Sequence, residues 1–201
     1  VGDEFDVQYV IKGSGDVYKR MDAVKATGAS LIIPLNFPKA YDVDDPFDAY
    51  EISLADMKHW ELAPANPASM EKAGITFALT ADDLKDKKMF WGNLKKAVMH
   101  GLSKETALAA LTTVPASMVG AESMVGTLEK GKLANFIVCS GDLFEEKSKI
   151  YENWVQGKSF SVADMNQMDL AGKYELKVDG KTYELTISGE AGSHKGSINQ
   201  D

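Results

Sequence analysis

Cysteine is nearly absent from this sequence of 201 residues, since Cys139 is the only one. A single cysteine excludes a disulfide within the chain and so excludes the class of small disulfide-stapled domains. Cys139 lies in an apolar run, where a thiol is expected to act as a small core residue. We therefore expect the fold to depend on packing and hydrogen bonds rather than on covalent cross-links.

Long hydrophobic runs and clustered basic residues are also missing. No apolar stretch approaches the roughly 18 residues that a membrane-spanning helix needs. The formal net charge is -8 and the sequence pI is about 5.0, whereas binding to nucleic-acid phosphates needs clustered Lys and Arg. We predict neither a membrane span nor a nucleic-acid partner. The opening residues VGDEFD are unlike a secretion signal, but if the chain is a C-terminal piece this says nothing about export, so the cellular location stays open.

The first part of the chain alternates apolar runs with helical segments. Val17, Met21 and Val24 recur at helical spacing, and Gly28 ends that helix. Further helices are predicted after the N-cap residues Ser53 and Asn66 and over Lys88 to His100. The strands are predicted over residues 7–11, 30–34 and 75–79. This order indicates β-α-β units and a parallel sheet.

Two loops could be mistaken for ligand sites. Gly13 to Gly15 lies between a strand and a helix, as a phosphate-binding loop would, but Tyr18 replaces the third glycine of the dinucleotide fingerprint. The acidic loop over residues 36–51 is similar to a calcium loop, yet Phe47 stands at the required glycine and Ser53 at the required glutamate. We favour a tight turn for the first loop and a solvated acidic loop for the second.

The stretch over residues 101–139 changes from helical to strand periodicity. Ser103 is a good N-cap for a helix that begins there or at Lys104. A second helix is predicted over residues 112–119, with Thr113 or Val114 as its cap, and a buried strand over residues 134–139.

The order of these features resembles the C-terminal signature of the amidohydrolase superfamily, specifically its imidazolonepropionase-like branch. That signature is a G-L-S-x-x-x-A-L-x-A-x-T-x-x-P-A helix pair followed by a G-x-L-x-x-G-K-x-A-D strand. Asn135 departs from it, because the family usually has Asp there. The matching residues are Gly101, Leu102, Ser103, Ala107, Leu108, Ala110, Thr112, Pro115, Ala116, Gly126, Leu128, Gly131, Lys132 and Ala134.

The resemblance implies an α/β fold. It would comprise the last three β/α units of a TIM-type (β/α)8 barrel of a metal-dependent hydrolase, followed by a β-rich C-terminal module. We place the barrel part at residues 1–122 and the module at residues 123–201. A whole barrel takes about 250 residues, so the chain is expected to be a C-terminal portion. Hairpins are predicted over 149–155 with 159–162 and over 173–178 with 183–187, and an edge strand over 197–200.

The resemblance also implies a site at the mouth of the barrel. In the family, one or two divalent metals are held by His residues from several strands and by an Asp at the end of the eighth strand. Aligning ALTAD, residues 78–82, with the family's A-L-G-T-D makes Asp82 the metal ligand and catalytic base, and Asp83 is the alternative. A carboxylate just past a buried parallel strand suits a barrel enzyme, although either Asp could simply end the strand.

The implied activity is hydrolysis of a C–N bond, in an amide or cyclic amide, of a small-molecule substrate. Zinc or another divalent metal is expected in the full-length protein, whereas this chain by itself need hold none and is expected to be inactive.

Other ligands of the implied metal are not visible in the sequence. Lys12 stands where many relatives have a His. Two interpretations are open: Lys12 pairs with a substrate carboxylate, or it marks the loss of a metal ligand. His59, His100 and His194 are expected to be structural or exposed. The alternative is therefore a catalytically inactive family member that acts as a binding or structural protein. Open sheet edges predict a homo-oligomer, or a missing N-terminal segment that covers them.

Overall fold

Three three-stranded sheets organise the chain. The computed structural model describes residues 2–5, 7–165, 170–189 and 193–199. The first sheet is parallel with the order β1-β2-β3, and the other two are antiparallel with the orders β4-β5-β6 and β7-β8-β9. The strands are β1 (Val10–Lys12), β2 (Ser30–Pro34), β3 (Phe77–Thr80), β4 (Phe136–Cys139), β5 (Ile150–Val155), β6 (Lys158–Ser161), β7 (Gly172–Val178), β8 (Lys181–Ser188) and β9 (Lys195–Asn199).

The described helices all precede β4. Two 3₁₀ turns, Val17–Arg20 and Ala63–Ala65, lead into α2 and α5. In the described part of the chain, every helix is too short or too polar to cross a bilayer. The helices are α1 (Gly2–Phe5), α2 (Met21–Ala26), α3 (Pro46–Glu51), α4 (Leu54–Leu62), α5 (Asn66–Ala73), α6 (Met89–Met99), α7 (Lys104–Ala109) and α8 (Thr113–Met118).

The parallel sheet confirms the predicted β-α-β units. Leu31 of β2 pairs with Phe77 of β3, and Ile33 pairs with Leu79. Because side chains alternate between the two faces of a strand, these residues share one face, and they pack into the core with helices α5 to α7. The predicted strand over residues 7–11 is shifted, since β1 covers Val10–Lys12.

The fully buried residues lie between Val17 and Ala116 in the described chain. Leu94 and Ala97 of α6 are buried, and Phe90 and Val98 pack against the same cluster, which confirms the face predicted for this helix. The core is therefore built by the parallel sheet and its helices, and the two antiparallel sheets add no fully buried residue within the described part.

Helix caps were predicted with mixed success. Ser53 and Ser103 accept the backbone N–H of Asp56 and Thr106, as predicted. The Asn66 prediction is wrong, because this residue lies inside α5 with a buried side chain whose Oδ1 accepts the Tyr18 N–H at 2.8 Å.

The predicted cap of α8 is also wrong. Its N-cap is Thr112, not Thr113 or Val114. The Thr112 hydroxyl donates to the Leu108 carbonyl at 2.7 Å instead of accepting from the helix. The hydroxyl is therefore hydrogen-bonded to the preceding turn and does not cap α8.

Part of the acidic loop is helical, which corrects the prediction of a continuous loop over 36–51. Asp45 caps α3, since its Oδ1 accepts the Phe47 N–H at 2.8 Å, and Pro46 occupies the first turn. Asp42 Oδ1 accepts the Asp44 N–H at 3.2 Å. These carboxylates therefore make local turn and cap hydrogen bonds.

The predicted hairpins are confirmed by the pairing of β5 with β6 and of β7 with β8. Both turns have two residues at positive φ, 50° and 80° at Gln156 and Gly157 and 51° and 76° at Asp179 and Gly180, as tight hairpins require. The predicted edge strand is present as β9, while Gln200 lies outside the described residues. β4 is half-buried along its length, so the prediction of a buried strand with a core Cys139 is wrong.

Candidate functional site at the carboxyl end of the parallel sheet

The carboxyl ends of the three parallel strands meet at one edge of the first sheet. Lys12 ends β1, Pro34 ends β2 and Thr80 ends β3. Lys12 pairs with Ile32, and Pro34 pairs with Thr80. By alternation, these residues lie on the face opposite the core face. Side chains that follow β3 can therefore reach Lys12 over the end of β2.

Lys12, Asp82 and Asp83 form an ionic cluster at this edge. The Lys12 ammonium contacts Asp82 Oδ2 and lies 2.9 Å from Asp83 Oδ2. The side chains of Lys12 and Asp82 are 45% and 65% exposed, so solvent screens the attraction between them. The sequence singled out all three residues but did not predict their mutual contact.

The turn after β3 directs both carboxylates towards Lys12. Asp83 has φ 65°, a left-handed conformation that Asp tolerates better than most residues. The Asp82 N–H donates to Thr80 Oγ1 at 3.1 Å. This local hydrogen bond and the left-handed backbone of Asp83 turn the chain immediately after β3. Both carboxylates therefore reach Lys12, instead of pointing to opposite faces as successive side chains of a strand do.

The contacts in the cluster favour the charged forms of Lys12 and Asp82. The hydrogen bond from Lys12, together with the positive charge of that residue, holds the pKa of Asp82 below its ordinary value. The hydrogen bonds with Asp82 and Asp83 raise the pKa of Lys12 above its ordinary value. At neutral pH, Asp82 is therefore a carboxylate and Lys12 an ammonium.

The described residues do not by themselves form a metal site. No three His, Cys, Asp or Glu side chains in the described ranges converge as metal ligands would. The carboxylates of Asp82 and Asp83 share an ammonium. A tetrahedral zinc site uses three or four protein ligands, so this donor set does not fit a resident metal without residues from elsewhere.

The three histidines have other surroundings. His59 Nδ1 is 2.8 Å from the Tyr18 hydroxyl and its ring stacks on that of Tyr18. His100 is an exposed residue at the C-terminal end of α6. His194 Nε2 accepts the Leu170 N–H at 3.1 Å.

The Gly13 to Gly15 loop forms a strand-to-helix turn. The Gly13 N–H donates to the Ile32 carbonyl at 2.9 Å, and Gly15 has φ 86°. Asp16 accepts a hydrogen bond from Ser14, which together with Lys19 holds the pKa of this carboxyl below its usual range. A negative charge directly after the loop, at Asp16, disfavours a phosphate, so the tight-turn interpretation fits this geometry.

One family model matches most of the chain. The family model described as Amidohydrolase family matches residues 62–188, more than half of the chain. No curated protein sequence matches.

Solved structures are similar to this chain in fold. An amidohydrolase from Thermotoga maritima MSB8 is 22% identical with a TM-score of 0.50, over 78% of this chain and 44% of that one. A prolidase complexed with N-methylphosphonate-L-proline is 16% identical with a TM-score of 0.52, over 79% and 41%.

The chain spans less than half the length of these structures. Their similarity to this chain concerns the fold alone. That fold is the fold of a fragment of a TIM-barrel protein. The imidazolonepropionase-like branch stays a prediction. The family itself is established by the match over residues 62–188 together with the parallel β/α arrangement, and the chain belongs to the amidohydrolase family.

Proposed function

We propose that this chain is the C-terminal portion of a metal-dependent amidohydrolase that hydrolyses a C–N bond, in an amide or cyclic amide, of a small molecule. Family membership and the parallel order β1-β2-β3 support the proposal. In it, β1, β2 and β3 are the sixth, seventh and eighth strands of the barrel. The barrel part ends at residue 122, and residues 123–201 form the β-rich module.

The observation that carries the proposal is the position of Asp82. Its carboxylate lies just beyond the carboxyl end of β3, where barrel enzymes hold their reacting groups. The hydrogen bond from Lys12 lowers the pKa of this carboxyl, so it stays ionised to a lower pH than an ordinary Asp does. An ionised carboxylate can orient an attacking water and accept its proton, so Asp82 is the proposed catalytic residue. The Lys12 ammonium positions Asp82 and balances part of its charge.

The metal of the proposed enzyme would need ligands from outside this chain. Asp82 and Asp83 supply two carboxylates at most, fewer than the three or four protein ligands of a zinc site. Zinc or another divalent metal is therefore proposed for the full-length protein, and the chain by itself is proposed to be inactive.

The test compares two variants of the full-length protein on a panel of small amides, cyclic amides and dipeptides. Asp82→Asn is expected to abolish hydrolysis, since an amide cannot accept the proton. Asp86→Asn is the matched control, because Asp86 lies in the same segment and its Oδ1 accepts the Lys88 N–H at 2.9 Å, a hydrogen bond that the side-chain oxygen of Asn can keep. Full activity of Asp82→Asn would refute the role of Asp82.

A second candidate is a family member that has lost catalysis and serves as a binding or structural protein. It is favoured by the Lys12 ammonium, which already pairs with both carboxylates that a metal would need. Metal analysis of full-length protein purified without chelators separates the two candidates. A metal-free protein without hydrolytic activity would contradict the first candidate and favour the second.

A further inference from the structure

A cavity of about 320 Å³ lies between α6 and the second sheet. Its volume is within the range of roughly 300 to 1,000 Å³ that is usual for small-molecule sites. It shares no described residue with the Lys12, Asp82 and Asp83 cluster. The residues that matter for its chemistry are Trp91, Lys95, Leu143, Ser148, Ile150 and Val162.

The wall of the cavity is chiefly apolar. Trp91 of α6 packs on the core cluster and also lines the cavity. Leu143, Ile150 and Val162 supply aliphatic groups from the other side. Such a wall suits the apolar body of a ligand, because burial of apolar surface is favourable in rough proportion to its area.

A positive charge belongs to the lining of the cavity. Lys95 Nζ donates to the backbone oxygens of Glu146 at 3.1 Å and Ser148 at 3.3 Å. An ammonium has three N–H donors, so a third remains for a ligand. Lys149 adds a second positive charge, and no Asp or Glu is part of the described lining, although the chain as a whole has a net charge of -8.

We propose that this cavity binds a small amphipathic carboxylate. The ligand carboxylate accepts a hydrogen bond from Lys95 Nζ, while the apolar body lies against Trp91 and Ile150. The site is separate from the proposed hydrolytic site, so the two proposals stand or fall independently.

The test uses the whole chain and three probes of the same length, hexanoate, 1-hexanol and hexylamine, followed by calorimetry and by NMR shifts of the Trp91 indole. Hexanoate is expected to bind saturably, at least about tenfold more tightly than hexanol, since a hydrogen bond to a charged group contributes about 1.4 kcal/mol or more. Hexylamine should not bind. No saturable hexanoate binding, or equal binding of all three probes, overturns the proposal.

Variants locate the binding in the cavity. Lys95→Met is expected to reduce hexanoate affinity to that of hexanol, whereas the matched control Lys147→Met changes the same charge on an exposed side chain that does not line the cavity and should leave affinity unchanged. Ala163→Phe, which fills the cavity, should abolish binding of hexanoate and hexanol alike. Near-UV circular dichroism checks that each variant is folded. Hexanoate binding that survives both Lys95→Met and Ala163→Phe would place the ligand elsewhere.

Discussion

The Lys12 ammonium contacts the Asp82 carboxylate across the end of β2, although the two residues are 70 positions apart in the chain. The contact needs β1 and β3 to run parallel on either side of β2, with their carboxyl ends at one edge. Because Lys12 ends β1 and Asp82 follows β3, their ion pair depends on the register in which the strands are paired.

Replacing Lys12 should change the titration of Asp82. Lys12→Met removes the hydrogen bond and the charge that lower the pKa of this carboxyl, so its pKa should rise towards the ordinary value of Asp. Carbon-detected NMR of the Asp82 carboxyl across an acid titration measures the midpoint. Lys88→Met is the control, because Lys88 is an exposed lysine outside the cluster. An unchanged midpoint in Lys12→Met would contradict the ion pair.

The same pair fixes the sign of a pH effect on stability. The folded-state pKa of Asp82 is lowered, so its stabilising contribution is present above the unfolded pKa and is lost as pH falls through the lowered value. Both partners are largely exposed, so the contribution is small and should weaken with added salt.

Glu71 joins α5 to the start of α7 and should matter more for stability. Its carboxylate accepts the Ser103 N–H at 3.0 Å, the Thr106 hydroxyl at 2.6 Å and the Ser103 hydroxyl. Glu71→Ala leaves these donors without their acceptor and is expected to lower the free energy of unfolding by about 1–3 kcal/mol. Urea denaturation at neutral pH measures the loss, with Glu61→Ala, an exposed position on α4, as the control.

An acid titration of stability gives a second readout for Glu71. Burial raises the pKa of this carboxyl, but the hydrogen bonds from Ser103 and Thr106 outweigh burial and leave the pKa lowered. The stabilisation is therefore complete above the unfolded pKa and disappears as pH falls through the folded value. The difference in unfolding free energy between the wild type and Glu71→Gln should shrink on acidification. A difference that stays constant would refute ionic hydrogen bonding by Glu71.

Features that depend on neighbouring residues could be predicted from the sequence, whereas contacts between distant residues could not. The Ser103 cap was predicted because a serine before an amphipathic run is a local pattern, and the structure has it. The contact of Ser103 with Glu71 joins residues 32 positions apart, and no periodicity encodes it. The prediction of Asn66 as a helix cap was wrong for the same reason, since its side chain accepts the N–H of Tyr18, 48 positions away.

The candidate site was predictable in composition but not in geometry. The end of the apolar run over residues 75–79 and the two following carboxylates singled out Asp82 and Asp83. Their contact with Lys12 depends on strand register and on the left-handed backbone of Asp83. Register is set by packing over the whole sheet, so the cluster could be located only once the sheet was assembled.

The outer edge of β1 should mediate association. The Leu79 N–H of β3 donates to the Ala110 carbonyl at 3.0 Å, which partly covers the other edge of the sheet, whereas within the described residues β1 pairs with β2 alone. The Gly13 N–H points to β2, so by alternation the Val10 N–H faces outward. Val10→Pro removes this donor at the first strand position, where proline is tolerated.

Light scattering after size exclusion should therefore show concentration-dependent association of the wild-type chain and less of it for Val10→Pro. Val10→Thr, which keeps the N–H and the branched side chain, is the control. A wild-type chain that is monomeric at all concentrations would contradict the predicted homo-oligomer.

The third sheet should be dispensable for the core. Tyr174 pairs with Leu185, which pairs with Ile198, and Leu176 pairs with Tyr183, so these side chains share one apolar face. Tyr174 and Ile198 remain 43% and 56% exposed. All fully buried described residues lie between Val17 and Ala116. A chain of residues 1–165 should therefore unfold cooperatively with nearly the wild-type melting temperature.

Removal of this sheet should also remove an exposed apolar surface. The chain of residues 1–165 is expected to bind less of a hydrophobic fluorescent dye than the whole chain and to precipitate less readily on heating, because exposed apolar faces promote aggregation. A Tyr174→Lys and Ile198→Lys double variant of the whole chain is the matched test, since it changes the face without shortening the chain. Loss of cooperative unfolding in the shortened chain would show that the third sheet stabilises the core, and the double variant would then tell whether its apolar face is responsible.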